Sequence, residues 1–194
     1  MIKINHVEKH YGKRSLWGPK PKPIIKDVSL DCPVDEAIAI IGESGSGKST
    51  LSRMILGIER PDKGTVTLND QPMYKKKVRR HQNGAVFQDY TSSLHPFQTV
   101  RDILFEVMCQ CDKQSTDEME GAAKTLLEEV GLSEDFLDKY PNMLSGGEAQ
   151  RVAIARAICI NPTYILFDEA ISALDMSIQT QILDLLKRLK HTRH

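Results

Sequence analysis

The sequence predicts an α/β protein in which an N-terminal antiparallel β region leads into a parallel-sheet core, itself interrupted by a helical insertion. Three observations carry this. The runs Ile38-Ala39-Ile40-Ile41 and Tyr164-Ile165-Leu166-Phe167 are uniformly apolar, the character of strands buried on both faces of a parallel sheet. A glycine-rich run, Gly42 to Thr50, follows the first of them directly and opens a helical pattern. From about Val100 to Tyr140 apolar residues recur at helical spacing instead of alternating.

The elements follow in order. Residues 2–8 (Ile2, Ile4, Val7) and 24–32 (Ile24, Ile25, Val28, Leu30) interleave apolar with polar side chains, as half-exposed strands do. Between them Trp17-Gly18-Pro19-Lys20-Pro21-Lys22-Pro23 excludes helix and sheet interior and reads as an extended basic loop. After Gly47, the stripe Leu51, Met54, Ile55, Ile58 predicts a helix ending before Pro61 and Gly64. Thr65 to Leu68 and Gly84 to Phe87 are short strand candidates. In the helical stretch, Ile103, Leu104 and Val107 form one face and Ala122, Leu126, Leu127 and Val130 another, the second helix starting at a capping box of Ser115 and Glu118. Ser145 to Ile160 is a further helix, and Ile178, Ile182, Leu185, Leu186 and Leu189 stripe the last one. One domain over residues 1–194 accommodates all of this, with core and β part over about 1–97 and 141–194 and a helical subdomain over about 98–140.

Composition narrows the class. With 194 residues, 40% of them hydrophobic and 27% charged, the chain can bury a substantial core. Lys plus Arg balances Asp plus Glu at 26 each, so no global field argues for a nucleic-acid partner. No stretch resembles a signal peptide or a membrane span, which reads as a cytosolic chain whose membrane role, if any, comes through partners. Cys32, Cys109, Cys111 and Cys159 lack metal-site spacing and read as reduced, packed thiols.

Gly42-Glu43-Ser44-Gly45-Ser46-Gly47-Lys48-Ser49-Thr50 has P-loop spacing in the position a P-loop needs, after a strand and opening a helix. Glycines let backbone N–H groups close around phosphate oxygens and the helix N-terminus adds positive potential; Lys48 reaches the β and γ phosphates and the Ser49 hydroxyl ligates Mg²⁺. Asp168, delivered at the C-terminal end of an apolar strand, supplies the second metal-side group, through water. Glu169, next to it, is placed to orient the attacking water and accept its proton.

Leu144-Ser145-Gly146-Gly147-Glu148-Ala149-Gln150-Arg151, with the P-loop and Ile165-Leu166-Phe167-Asp168-Glu169, closely resembles the signature of ATP-binding-cassette (ABC) ATPases, and the likeness covers nearly the whole chain. Ser145 and Glu148 have capping-box spacing, so the motif is a helix start whose two glycines leave the backbone open to an anion. The resemblance implies an ABC-type P-loop NTPase fold and a head-to-tail dimer in which the Ser145-Gly146-Gly147 stretch contacts nucleotide on a second subunit's P-loop. Ser145 and Gly147 are implied to meet the γ-phosphate. It further implies that Ser172-Ala173-Leu174-Asp175 is a D-loop, with Asp175 at the same interface. Gln88, after Val86-Phe87, resembles the Q-loop glutamine that senses γ-phosphate and metal, and Tyr11 the aromatic residue that stacks on adenine.

The Trp17–Pro23 insertion, the run Gln88 to Val100 and Tyr140-Pro141-Asn142-Met143 resemble the ATPases of peptide, nickel and metal-chelate importers. The implied protein hydrolyses ATP to drive uptake, as a peripheral subunit on the cytoplasmic face of the membrane. Its implied partners are a second, different ATPase subunit, two membrane-spanning permease subunits and, indirectly, an extracytoplasmic substrate-binding protein. Nickel or a metal chelate is favoured over peptide, and His6, His10, His81 and His95 read as surface residues instead of a nickel site. A non-transport ABC ATPase of repair or translation and a nucleotide-binding remnant are the alternatives. The family pattern continues into a strand ending in a switch histidine; Lys190-His191-Thr192-Arg193-His194 follows a helix and does not fit it, so the chain reads as C-terminally truncated. Detectable ATP binding with low turnover is the corresponding expectation.

Overall fold

A computed structural model describes residues 1–12, 22–34, 36–76, 78, 82–87, 93–110, 115–168 and 175–193. The chain divides into two units, Met1–Arg80 and His81–His194, and each is taken by itself.

In the first unit β1 (Ile2–His10) pairs antiparallel with β2 (Pro23–Cys32) and with β3 (Lys63–Leu68), and β4 (Gln71–Pro72) extends β3, giving the order β2-β1-β3-β4. Ile2, Ile4, Val7, Ile25, Val66 and Leu68 are buried, with the alternation of β1 broken by a register shift between Ile4 and Val7, and Ile24 is exposed. Pro23 opens edge strand β2, a place where its missing N–H costs no ladder bond. Helix α1 (Lys48–Ile55) buries Leu51, Met54 and Ile55. It ends in a Schellman motif, with Gly57 N–H donating to the Met54 carbonyl at 3.0 Å and Ile58 N–H to the Arg53 carbonyl at 2.9 Å.

The second unit contains β5 (Asn83–Val86) and β6 (Tyr164–Phe167), paired in parallel with Val86 opposite Phe167. Its helices are α2 (Val100–Met108), α3 (Thr116–Glu129), α4 (Gly146–Ile158) and α5 (Met176–Arg193), with 3₁₀ turns at Glu134–Asp138 and Pro141–Met143. Three of these helices start with a complete capping box: Thr99 with Asp102, Ser115 with Glu118, and Ser145 with Glu148. Val152, Ile154, Ile182 and Leu185 are wholly buried in one apolar cluster with Leu104 and Leu127, so α4 is the element the other helices pack around. No described helix is long and apolar enough to cross a membrane.

Three expectations are corrected. Residues 38–41 are not a buried strand: no described ladder includes them, and Ile38, Ile40 and Ile41 are 40%, 42% and 91% exposed. Apolar sequence makes a strand only where neighbours supply hydrogen-bond partners, and β2 to β4 form their sheet without this segment. Tyr164 to Phe167 is a strand but only partly buried, because β5 is its one described neighbour. Cys109 is exposed instead of packed, while Cys32 and Cys159 are partly buried; Cys111 lies outside the described residues.

Candidate active site

The glycine-rich loop before α1 is held by its own lysine. Lys48 Nζ donates to the carbonyls of Gly42 at 2.8 Å and Glu43 at 2.9 Å, and Ser46 N–H donates back to the Glu43 carbonyl at 3.2 Å. These bonds curl residues 42–48 around the ammonium group. Gly47, the residue before α1, has φ 96°, and a methyl group on it would meet Ile25 Cδ1 at 2.7 Å and the Ile24 carbonyl oxygen at 3.0 Å. Only glycine satisfies both the left-handed turn and the close approach to β2. Gly45 also has positive φ, 79°, but a methyl group there would face open space on the loop. Ser44 and Ser49 are exposed and Thr50 is buried. A curled loop, one ammonium, an exposed hydroxyl and a helix N-terminus form a donor set that fits a triphosphate and its Mg²⁺.

Tyr11, in the same unit, lies just past β1 and is 43% exposed as a residue. Its hydroxyl donates to Glu59 Oε2. Burial raises the Glu59 pKa, but the Tyr11 hydroxyl and the Lys9 ammonium outweigh it and hold the carboxyl below its usual range. Glu59 does not stand out in the sequence, because it lies 48 positions from Tyr11.

In the second unit Asp168 sits at the C-terminal end of β6, where its N–H donates to the Val86 carbonyl at 2.9 Å and so adds one step to the β5–β6 ladder. The site thus lies at the end of parallel strands where ligands gather. Burial pushes the Tyr164 phenol, at the other end of β6, well above its ordinary pKa.

Ser145 caps α4 reciprocally: Glu148 Oε2 accepts from Ser145 N–H and from Ser145 Oγ, both at 2.7 Å, and Glu148 N–H donates to Ser145 Oγ at 3.4 Å. Ser145 and Gly146 are exposed and Gly147 is buried, because a methyl group on Gly147 would meet Ile178 Cγ2 at 3.1 Å. The start of α4 therefore lies on the first turn of α5. Asp175 immediately precedes that turn and accepts from Gln179 N–H through its carbonyl at 2.9 Å. The structure brings Ser145, Gly146 and Gly147 to the helix whose start carries Asp175. Gln88, Glu169 and the remainder of the Ser172–Asp175 segment lie outside the described residues.

His6 and His10 pair with surface carboxylates, Asp27 at 2.7 Å and Asp62 at 3.3 Å; His81 lies outside the described residues. Among the described residues no group of three His, Cys, Asp or Glu side chains is arranged to hold a metal ion.

The chain is 77% identical over 193 residues to the metal-staphylopine import system ATP-binding protein CntF of Staphylococcus aureus, spanning all of this chain and 78% of that protein. It is 36% identical to the nickel import ATP-binding protein NikE of Escherichia coli, over 98% of this chain and 73% of that one. Among solved structures, the ATP-binding cassette MJ0796, a dimer in a post-hydrolysis state bound to ADP and Pi, superposes with a TM-score of 0.84 at 34% identity, covering 98% of this chain and 83% of the other. The family model described as ABC transporter matches residues 25–172, a stretch of sequence that includes residues 42–50, Ser145 and Asp168, and this chain belongs to the ABC transporter family as an ATP-binding ATPase.

Proposed function

We propose that this chain is the ATP-binding, energy-coupling subunit of an ABC importer that takes up metal bound to staphylopine. The observation that carries the cargo is the 77% identity, along the whole chain, to the S. aureus protein of that system. The similarity to nickel import proteins supports a metal cargo over a peptide.

In this reading Lys48 exchanges the Gly42 and Glu43 carbonyls for the β and γ phosphates, and backbone N–H groups at the start of α1 donate to phosphate oxygens. Ser49, Asp168 and Gln88 would hold Mg²⁺, which would supply positive charge against the phosphates. Glu169 orients the attacking water and accepts its proton. Tyr11 stacks on the base. Ser145, Gly146, Gly147 and Asp175 complete the site of a second cassette, for which the dimeric relative MJ0796 is the precedent. That second cassette is a different chain, and two membrane-spanning permeases, supplied with cargo by an extracytoplasmic binding protein, complete the assembly at the cytoplasmic face. Residues 98–140 act as a helical subdomain within the core formed by 1–97 and 141–194. Closure of the dimer on ATP and reopening after hydrolysis drive alternating access.

The test is uptake of labelled nickel, supplied alone or with staphylopine, by cells with and without the encoding gene. Deletion is expected to abolish staphylopine-dependent accumulation. Unchanged accumulation in the deletion strain would overturn the cargo assignment.

A further inference from the structure

We propose that Glu59, braced by Lys9, is a positioning residue that fixes the Tyr11 ring for the nucleobase. The proposal rests on the reading of Tyr11 as the base-stacking residue.

The chain connecting α1 to β3 holds Tyr11 at two points. Asp62 Oδ2 accepts from the backbone N–H of His10 at 2.7 Å, which pins the main chain just before Tyr11. Glu59 Oε2 accepts from the Tyr11 hydroxyl, which pins the far end of the ring. Glu59 is itself held: Lys9 Nζ lies 3.1 Å from Glu59 Oε1 and donates to the Arg60 carbonyl at 2.6 Å. The same ammonium stands 5.8 Å from the Tyr11 ring centroid and 3.7 Å from Asp62 Oδ1. The Lys9 and Glu59 side chains are only 13% and 20% exposed, so the brace is packed while the tyrosine it holds is exposed.

A surface tyrosine does not need this. Water satisfies an exposed phenol, and desolvating a carboxylate and an ammonium to reach it is unfavourable unless the ring's orientation matters. An aromatic platform fixed before binding loses less rotamer freedom when a base arrives, and the gain appears in affinity for the base and not for the phosphates. Glu59 and Lys9 therefore act on nucleotide binding through Tyr11, without touching the phosphate loop's own bonds.

The test is calorimetric titration of the full chain with ATP and, separately, with inorganic tripolyphosphate, which lacks the base. Tyr11→Phe keeps the ring and removes the hydroxyl; Glu59→Ala removes the acceptor. Each is expected to weaken ATP binding about fivefold and leave tripolyphosphate unchanged, with the double variant no weaker than either single one. Wild-type ATP affinity in Tyr11→Phe, additive losses in the double variant, or equal losses for ATP and tripolyphosphate would overturn the proposal. Tyr11→Ala separates it from the reading beneath. If Tyr11→Ala loses the preference for ATP and Tyr11→Phe does not, stacking stands and the Glu59 role falls. If Tyr11→Ala keeps the preference, both fall.

Discussion

Arg151 donates to the Val130 carbonyl at 2.6 Å, tying the helix that Ser145 caps to the C-terminal end of α3. The same guanidinium reaches Gln181 Oε1 on α5 at 3.1 Å, so one side chain joins three helices. It lies close under Gly131, where a methyl group would meet Arg151 Nη1 at 3.0 Å. A cation at the end of a helix also complements its dipole.

Removing that guanidinium leaves a helix-end carbonyl without its charged donor. Arg151→Met, which keeps the apolar stem, is expected to cost about 1–3 kcal/mol, read from urea unfolding. Arg151→Lys recovers only part, because an ammonium cannot span both acceptors in the same fork geometry. A wild-type midpoint for Arg151→Met would show that Val130 and Gln181 are equally well satisfied by water.

Two loop glycines should separate stability from binding. Gly47→Ala places a methyl group against Ile25 and the Ile24 carbonyl at a φ of 96°, and is expected to destabilise the Met1–Arg80 unit by about 1–3 kcal/mol. Gly45→Ala meets nothing and carries only the cost of its positive φ, about 1–2 kcal/mol. Its methyl group stands on the loop proposed to receive phosphate, so ATP affinity should fall by more than stability does. Equal ratios of the two losses in both variants, from calorimetry and urea melts, would remove the distinction.

Much of this was legible from residue spacing. Capping boxes and helical stripes depend on residues three and four apart, so Thr116–Glu129 and Gly146–Ile158 lie where the sequence puts them. The phosphate loop is equally local, since Lys48 bonds carbonyls five and six residues before it. What escaped depends on distant partners. Arg151 meets residues 21 and 30 positions away, and Glu59 meets one 48 positions away. Gln150 is wholly buried in α4, with neither amide atom bonded among the described residues, although its polarity suggests a surface position. Residues 38–41 are the opposite case, apolar in sequence and exposed in the structure.

Acid should loosen the His81–His194 unit through its three capping boxes. Backbone and side-chain hydrogen bonds from Ser145 and from Ser115 hold Glu148 and Glu118 below the ordinary value of 4.5, and side-chain and backbone bonds from Thr99 hold Asp102 below 3.8. A carboxylate whose folded pKa is depressed contributes fully above its unfolded pKa and loses that contribution as pH falls through the folded one. Helical circular dichroism should therefore fall below the ordinary carboxylate range. Ser145→Ala should flatten this dependence, with a modest effect because Glu148 is near the surface. An identical pH profile in Ser145→Ala would rule the cap out as a source.

Lys48→Ala should abolish ATP binding, weakening it by more than about a hundredfold, since it removes both the charge aimed at the phosphates and the two bonds that curl the loop. Calorimetric titration measures this, and an unchanged affinity would sink the loop's assignment as the phosphate cradle.

Glu169→Gln should separate binding from turnover most cleanly. The amide has nearly the carboxylate's shape and can still orient water, but it cannot accept the proton that water must lose on attacking the γ-phosphate. The contacts proposed for Lys48, Ser49 and Tyr11 with the nucleotide do not involve this carboxyl, so ATP affinity should stay within about twofold. Hydrolysis in the assembled complex should drop by about a hundredfold or more, the scale of a lost general base. The cassette dimer, closed on ATP and no longer reopened by hydrolysis, should persist long enough to be isolated by size exclusion. Full turnover with an unchanged dimer lifetime would assign proton acceptance to another group; lost ATP binding would place Glu169 among the ground-state contacts.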